Sequence, residues 1–320
     1  MRILALVPGG IGDQVLFFPT METLKQKYPQ AAIDVLVEPR SKQAYRVCPF
    51  VHDVLVFDYQ DRNGLADYLN LLGMLHDREY DVALTVESRW VLDLLLWLNG
   101  IDIRVGYRNN SSPFLTNLVP LKTEQYDAQR YHDLLGSLGL QTPCPPLSIA
   151  VPKADIDWAE TAQKLLDIKE SGYIMLHTNT SPTPASRGAS DVYPLQSWLQ
   201  IVKDIQDKQP DVPIVLLRGQ RNQQFVADMV AANPALKVVS PPDPGKMAAS
   251  IAGANLLLCT DTGSLQLAVA VGTYTIALFG ATQAKKRLPP KSEKCVAIQS
   301  PSRAIADIAP VTVLEKIWQG

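Results

Sequence analysis

Arg2-Ile3-Leu4-Ala5-Leu6-Val7-Pro8-Gly9-Gly10-Ile11-Gly12-Asp13 is an apolar run that breaks at a proline into a glycine turn ending on a carboxylate. Residues 2–7 are too few for a helix and apolar almost throughout, which predicts a strand covered on both faces. The glycines let the chain reverse sharply and bring a ligand close to backbone amides. Helical spacing follows from about residue 14 to residue 28. A strand, a glycine turn and a helix in that order open a doubly wound α/β sheet.

Outward from this unit the same alternation repeats. Strands are predicted at 33–38, 53–58, 81–87 and 103–107, with helices near 41–47, 64–78 and 89–98. Residues 139–155 then break the rhythm with Pro143, Pro145, Pro146 and Pro152, the signature of a linker. Strands resume at 172–177, 213–217, 237–239, 255–259 and 274–279, and helices near 156–168, 194–208, 221–232, 245–252, 264–271 and 311–318. The expected architecture is two Rossmann-like parallel-sheet domains, 1–145 and 155–320. Ligands would bind beyond the carboxyl ends of the strands, in a cleft between the domains.

Composition agrees with two folded domains: 320 residues, 47% hydrophobic and 19% charged. A net charge of −2 excludes nucleic-acid binding by a broadly basic surface. The four cysteines, 48, 144, 259 and 295, show no C-x-x-C pair, which predicts neither a metal site nor a disulfide framework and fits a reducing cytoplasm. The first residues do not read as a secretory leader. The most apolar stretch, Val91 to Leu98, is interrupted by Asp93 and is far too short for a membrane span. Peripheral contact with a membrane surface stays open.

Two turns carry the chemistry. Asp13 reads either as a helix cap or as a general base at a cleft floor, with Gly10 and Gly12 beside an acceptor. A dinucleotide fingerprint fails at Val15, where a third glycine belongs, although Glu38 at the end of the second strand keeps an NAD-linked oxidoreductase as a distant third reading. The second turn, Thr260-Asp261-Thr262-Gly263-Ser264, sets hydroxyls and amides at a helix start, suited to a sugar diphosphate. Simple capping by Thr262 or Ser264 is the alternative. His177 ends a strand at the same level, and Glu87-Ser88-Arg89 either binds acceptor hydroxyls or starts a helix. Ser264 has no evident His partner for nucleophilic catalysis. Asp155-Ile156-Asp157 reads as helix capping rather than a metal motif, and His52, His76 and His132 as surface or core-edge residues. Lys285, Lys286, Arg287, Lys291 and Lys294 read as a solvated loop or a patch for an anionic lipid.

The glycine turn, the run Val15 to Pro19, the strand ending Leu176-His177, Tyr193-Pro194-Leu195 ahead of Trp198, and Asp261-Thr262-Gly263 together resemble glycosyltransferase family 9, the ADP-heptose:lipopolysaccharide heptosyltransferases. The resemblance runs from residue 1 to about residue 282. It implies a GT-B fold and a metal-independent, inverting transfer from a nucleotide sugar of the ADP-heptose type, with no further cofactor. The acceptor would be a glycan or glycolipid hydroxyl, as in lipopolysaccharide biosynthesis, at the cytoplasmic side of a membrane. Asp13 matches the family's general base, and Asp261, Thr262 and Gly263 its sugar and diphosphate contacts. Asn179 and Thr180 match residues that touch the phosphates. In GT-B folds the last helix often returns to the first domain.

Three departures stand out. Asp191 lies where the family carries a diphosphate-binding Lys, Gln266 replaces a His, and Gln223 replaces a nucleoside-binding Glu. Arg187 is the candidate stand-in for the Lys. Such changes in one subsite admit a second class of function, a degenerate member that binds a ligand or a protein without turnover.

Overall fold

The computed structural model describes residues 1–59, 64–86, 89–108, 113–178 and 192–319. The chain divides into two compact units, Met1–Ala150 and Val151–Gly320. The first is built from β1 (Arg2–Leu6), α1 (Ile11–Lys27), β2 (Ala32–Val37), β3 (Asp53–Val56), α2 (Leu65–His76), β4 (Val82–Thr85), α3 (Trp90–Leu98), β5 (Ile103–Tyr107), β6 (Asn117–Val119) and α4 (Asp127–His132). Its strands form one parallel sheet in the order β3-β2-β1-β4-β5-β6.

The second unit comprises α5 (Lys153–Leu165), β7 (Ile174–His177), α6 (Leu195–Lys208), β8 (Ile214–Leu217), α7 (Gln223–Ala232), β9 (Lys237–Val239), α8 (Pro244–Ala252) and β10 (Leu256–Thr260). It continues with α9 (Gly263–Val271), β11 (Thr275–Phe279), α10 (Ala284–Arg287), β12 (Cys295–Gln299) and α11 (Pro310–Gln319). The sheet order, β12-β11-β10-β7-β8-β9, repeats the winding of the first unit, again all parallel.

Central strands are buried on both faces because helices cover both sides of each sheet, which is why β1, β10 and β11 are apolar without alternation. The winding reverses between β1 and β4 in the first sheet and between β7 and β10 in the second. At such a reversal the loops beyond the strand ends diverge and leave a crevice for a ligand. The turn after β1 and the turn after β10 both lie at these points.

The sequence reading omits β6 and β12. Both are edge strands: β6 has three residues, and only Ile298 of β12 is buried. Neither carries the apolar run that marks a covered strand. Residues 41–47, expected as a helix, lie in 3₁₀ turns over Pro39–Val47. Residues that precede the second unit stay on the first, with the Ala150 N–H donating to the Val47 carbonyl at 2.9 Å.

Two buried charge clusters brace the units away from the strand ends. Asp34, fully buried on β2, accepts from Arg2 Nη2 at 3.0 Å and Tyr80 Oη at 2.8 Å, and hydrogen-bonds His52 Nδ1 at 2.8 Å. Asp155, also fully buried, pairs with Lys246 at 3.1 Å, and Lys246 reaches Asp243 at 2.6 Å. Asp155 thus sits in the third position of α5 and bridges to α8; it is not the cap residue expected from its motif. His132 is a buried core residue hydrogen-bonded to Thr23 at 3.0 Å. Tyr193 and Trp198 stack edge to face with centroids 5.3 Å apart, so that motif builds core. The last helix, α11, packs on α6, where Trp318 Nε1 donates to Asp204 at 2.9 Å. On α3 the outward residues Trp90, Trp97 and Leu98 are each about half exposed, at 51%, 51% and 52%.

Candidate functional site

In the first unit α1 begins at Ile11 rather than near Gln14, with Gly10 as its cap residue. Asp13 therefore falls in the first turn, and its Oδ2 accepts from the Gly10 N–H at 2.8 Å. The capping role is real and leaves Asp13 only partly buried, at the switch point of the sheet. Gly9 decides this geometry. Its φ is +107°, and a Cβ there would lie 2.4 Å from Asp13 Oδ2. Gly9→Ala is expected to cost more than about 1 kcal/mol in a urea titration and to displace the Asp13 carboxylate. Gly12 is buried within α1 and Gly10 spends its N–H on Asp13.

The turn is held from below by residues to which the sequence reading gave no such role. Glu38 Oε1 accepts from the Gly9 N–H at 3.2 Å and Oε2 from Arg40 Nε at 2.6 Å, so Glu38 props the turn and the ribose role assigned to it falls. Ser41 Oγ donates to the Gly9 carbonyl at 2.5 Å. Gln14 Nε2 donates to the Val7 carbonyl at 3.0 Å, and its Oε1 accepts from Tyr45 Oη at 2.8 Å. Burial pushes the Tyr45 phenol well above its ordinary value, so it stays a donor at any physiological pH. The sequence signal for Glu38, Ser41 and Tyr45 was their place just after β2.

In the second unit, His177 ends β7 opposite Cys259 of β10. Its Nδ1 hydrogen-bonds Ser264 Oγ at 2.7 Å and Thr262 Oγ1 at 3.2 Å, and the two hydroxyls lie 2.7 Å apart. Thr262 occupies the cap position of α9, yet its side chain does not cap the helix, which corrects the capping alternative. Ser264 does have a His partner, contrary to the sequence reading. At 1% exposure its hydroxyl is too enclosed to attack a substrate, so the triangle positions the turn. Desolvation pushes the His177 imidazole down to about 4. Unfolded chains bind a proton at about 6.5 and the folded chain does not, so stability falls as pH drops from about 6.5 toward 4. The expected loss between pH 7 and pH 5 is about 2 kcal/mol in urea titrations, and His177→Asn should flatten that slope.

Asp261, next to the triangle, accepts from Arg287 Nε at 3.3 Å. Gln266, fully buried in the first turns of α9, donates from Nε2 to the Arg287 carbonyl at 2.8 Å. Its Oε1 finds no partner among the described residues. Arg287 is thus turned inward at the end of a one-turn helix, where the sequence reading put a solvated basic loop. Beyond β8, Gln223 is exposed, while its neighbour Asn222 is buried and accepts from the Gly219 N–H at 2.7 Å. Asn222 Nδ2 also donates to the Leu217 carbonyl at 2.9 Å and the Thr178 carbonyl at 3.3 Å, tying the β7 and β8 loops together. A small cavity lined by His177, Thr178, Trp198, Asn222 and Phe225 lies beside them. Asn179, Thr180, Arg187, Asp191 and Glu87 lie outside the described residues.

Two doubly wound parallel sheets with residues gathered at each switch point define a GT-B protein, and the comparisons agree. The model of glycosyltransferase family 9 (heptosyltransferase) matches residues 69–317, so the chain belongs to that family. The photosynthetic NDH subunit of subcomplex B 1 of Arabidopsis thaliana, a chloroplastic protein, is 26% identical over 98% of this chain and 72% of its own length. Lipopolysaccharide heptosyltransferase 3 of Escherichia coli is 24% identical over 85% of this chain and 81% of its own. The solved structure of E. coli ADP-heptose lps heptosyltransferase II superposes with a TM-score of 0.80 at 20% identity, covering 100% of this chain and 98% of that one.

Proposed function

We propose that the protein is an inverting glycosyltransferase that moves a heptose-like sugar from a nucleoside diphosphate to a hydroxyl of a glycan or glycolipid. The observation that carries the reading is the Asp13 carboxylate, held by Gly10 and Gly9 at the switch point of the first sheet. Asp13 takes the proton from the acceptor hydroxyl as its oxygen attacks the anomeric carbon. The bond from that carbon to the diphosphate oxygen breaks, the electron pair leaves with the diphosphate, and the configuration inverts. Amides at the start of α9 and the hydroxyl of Thr262 suit the anion formed there. Asp261 and Gly263 line the same turn.

The relatives support a donor of the ADP-heptose class, since one of them carries that donor in its description. The reading places the protein in the cytoplasm, peripheral to the membrane that holds its acceptor. Among the described residues no helix is long and apolar enough to cross a membrane.

A second reading is a family member that binds without turnover. The replacement of a His by Gln266, which spends its amide on the Arg287 carbonyl, favours it, as does the apolar face of α3. A relative that is a subunit of a photosynthetic complex belongs to the same reading. A screen of ADP-heptose and several other nucleotide sugars for nucleoside diphosphate release separates the two. Turnover rejects the second reading, and its absence with every donor and acceptor rejects the first.

A further inference from the structure

We propose that Glu38 and Arg40 act as a pair of positioning residues for the Asp13 base, working through the Gly9 peptide. The proposal rests on the transferase reading and deepens its acceptor side.

A base must be held as well as present, and the place of Asp13 depends on Gly9. The Gly9 backbone lies in the left-handed region, at φ +107°, and a Cβ on it would sit 2.4 Å from Asp13 Oδ2. Any rotation of the Gly9 peptides therefore moves the surface against which the carboxylate rests. Glycine resists such rotation least of all residues, so the turn needs bonds from outside. The segment after β2 supplies them. Glu38 Oε1 accepts from the Gly9 N–H at 3.2 Å, and Ser41 Oγ donates to the Gly9 carbonyl at 2.5 Å. The next amide along, that of Gly10, donates to Asp13 Oδ2 at 2.8 Å. Two successive N–H groups thus point at two carboxylates, and the first carboxylate sets the orientation from which the second is gripped.

A neutral acceptor would also satisfy the Gly9 N–H, so the charge of Glu38 calls for a reason. Its side chain is only 6% exposed, and a carboxylate enclosed to that degree is costly unless it is paired. Arg40 Nε meets Oε2 at 2.6 Å, while 40% of the Arg40 side chain stays in contact with solvent. One partner is buried and the other keeps part of its hydration. Pro39 stands between them, and its ring fixes φ, so both side chains leave a stiff stretch of backbone. Hydrogen bonds to a charged group are roughly twice as strong as neutral ones, which suits a clamp on a flexible glycine. Arg40 lies at the solvent end of this series of contacts and Asp13 at the other.

The test reads the turn with and without chemistry. Hydrogen exchange of the Gly9 and Gly10 amides is followed by NMR in the full chain, beside steady-state release of ADP from ADP-heptose. Arg40→Ala is expected to speed exchange at Gly10, an amide bonded to Asp13 rather than to the pair, by about 10-fold. The same variant should lower kcat by about 10-fold with KM within about twofold, the pattern of a displaced base. Arg40→Lys should recover part of both effects, and Glu38→Gln should reproduce them. Lys42→Ala removes an exposed charge nearby and should change neither. Wild-type exchange at Gly10 in both Arg40→Ala and Glu38→Gln overturns the proposal, as does faster exchange with kcat unchanged. A loss confined to KM, or one that only tracks the loss of folded protein in urea, overturns it as well. Exchange needs no substrate. If the wild-type chain turns over no donor, the transferase reading fails, and the exchange rates alone decide whether the pair orders the turn.

Discussion

Asp13→Asn is expected to abolish sugar transfer while the fold and donor binding persist. Asn keeps a carbonyl oxygen where Oδ2 accepts from the Gly10 N–H, so α1 retains its first-turn bond. What Asn cannot do is take a proton from an attacking hydroxyl. On the transferase reading, removing a positioned base lowers rates by about 10²–10⁴-fold, and the carboxylate that supports the turn among the described residues, Glu38, is engaged with Gly9 and Arg40. Steady-state release of nucleoside diphosphate, with a urea titration on the same sample, reads both effects. A variant that is fully active would remove Asp13 as base and leave it a helix-end residue. Asp13→Ala is less informative, because it also strips the bond to Gly10.

The largest stability effect is expected at Asp34. This carboxylate is fully enclosed, and Arg2, His52 and Tyr80 converge on it, with Arg78 Nε at 3.8 Å. Asp34→Ala leaves those donors facing a void and should cost about 3 kcal/mol. The cost stays at the lower end for such removals because Arg2 and Arg78 retain access to water, at 37% and 27% side-chain exposure. Asp34→Asn, which keeps acceptor capacity, should cost less than half of that. Burial and the bond to Asp34 hold the Tyr80 phenol above its ordinary range, so in the wild-type chain it stays a donor to Asp34. Urea unfolding monitored by circular dichroism decides the order of the three proteins. The cluster lies early in β2, away from the strand ends, so activity per folded molecule should not change.

Much of the fold was legible because covered parallel strands are apolar throughout. Leu256 to Thr260 and Thr275 to Phe279 announce themselves, whereas β6 and β12 sit at sheet edges, half wet and without pattern. The two site turns were legible because glycines and hydroxyls cluster after strands. Their supports were not. Tyr45, Ser41 and Asn222 act through bonds to residues distant in sequence or to backbone atoms, and no spacing rule encodes such partners. Arg287 escaped for another reason. Its flanking lysines make the segment look solvated, and the contact that turns its side chain inward is to Asp261, 26 positions away.

The two sheets share one winding order but have separate cores, one around Leu4, Leu36 and Leu95 and one around Leu176, Trp198 and Leu258. For inheritance this makes the halves independent ledgers. Gln266 lies in α9 of the second unit and Asp13 in α1 of the first, so each turn is carried by its own sheet. A lineage can therefore alter the turn beyond one sheet while the other sheet keeps its own core. Selection then needs to preserve only the half that still has a job.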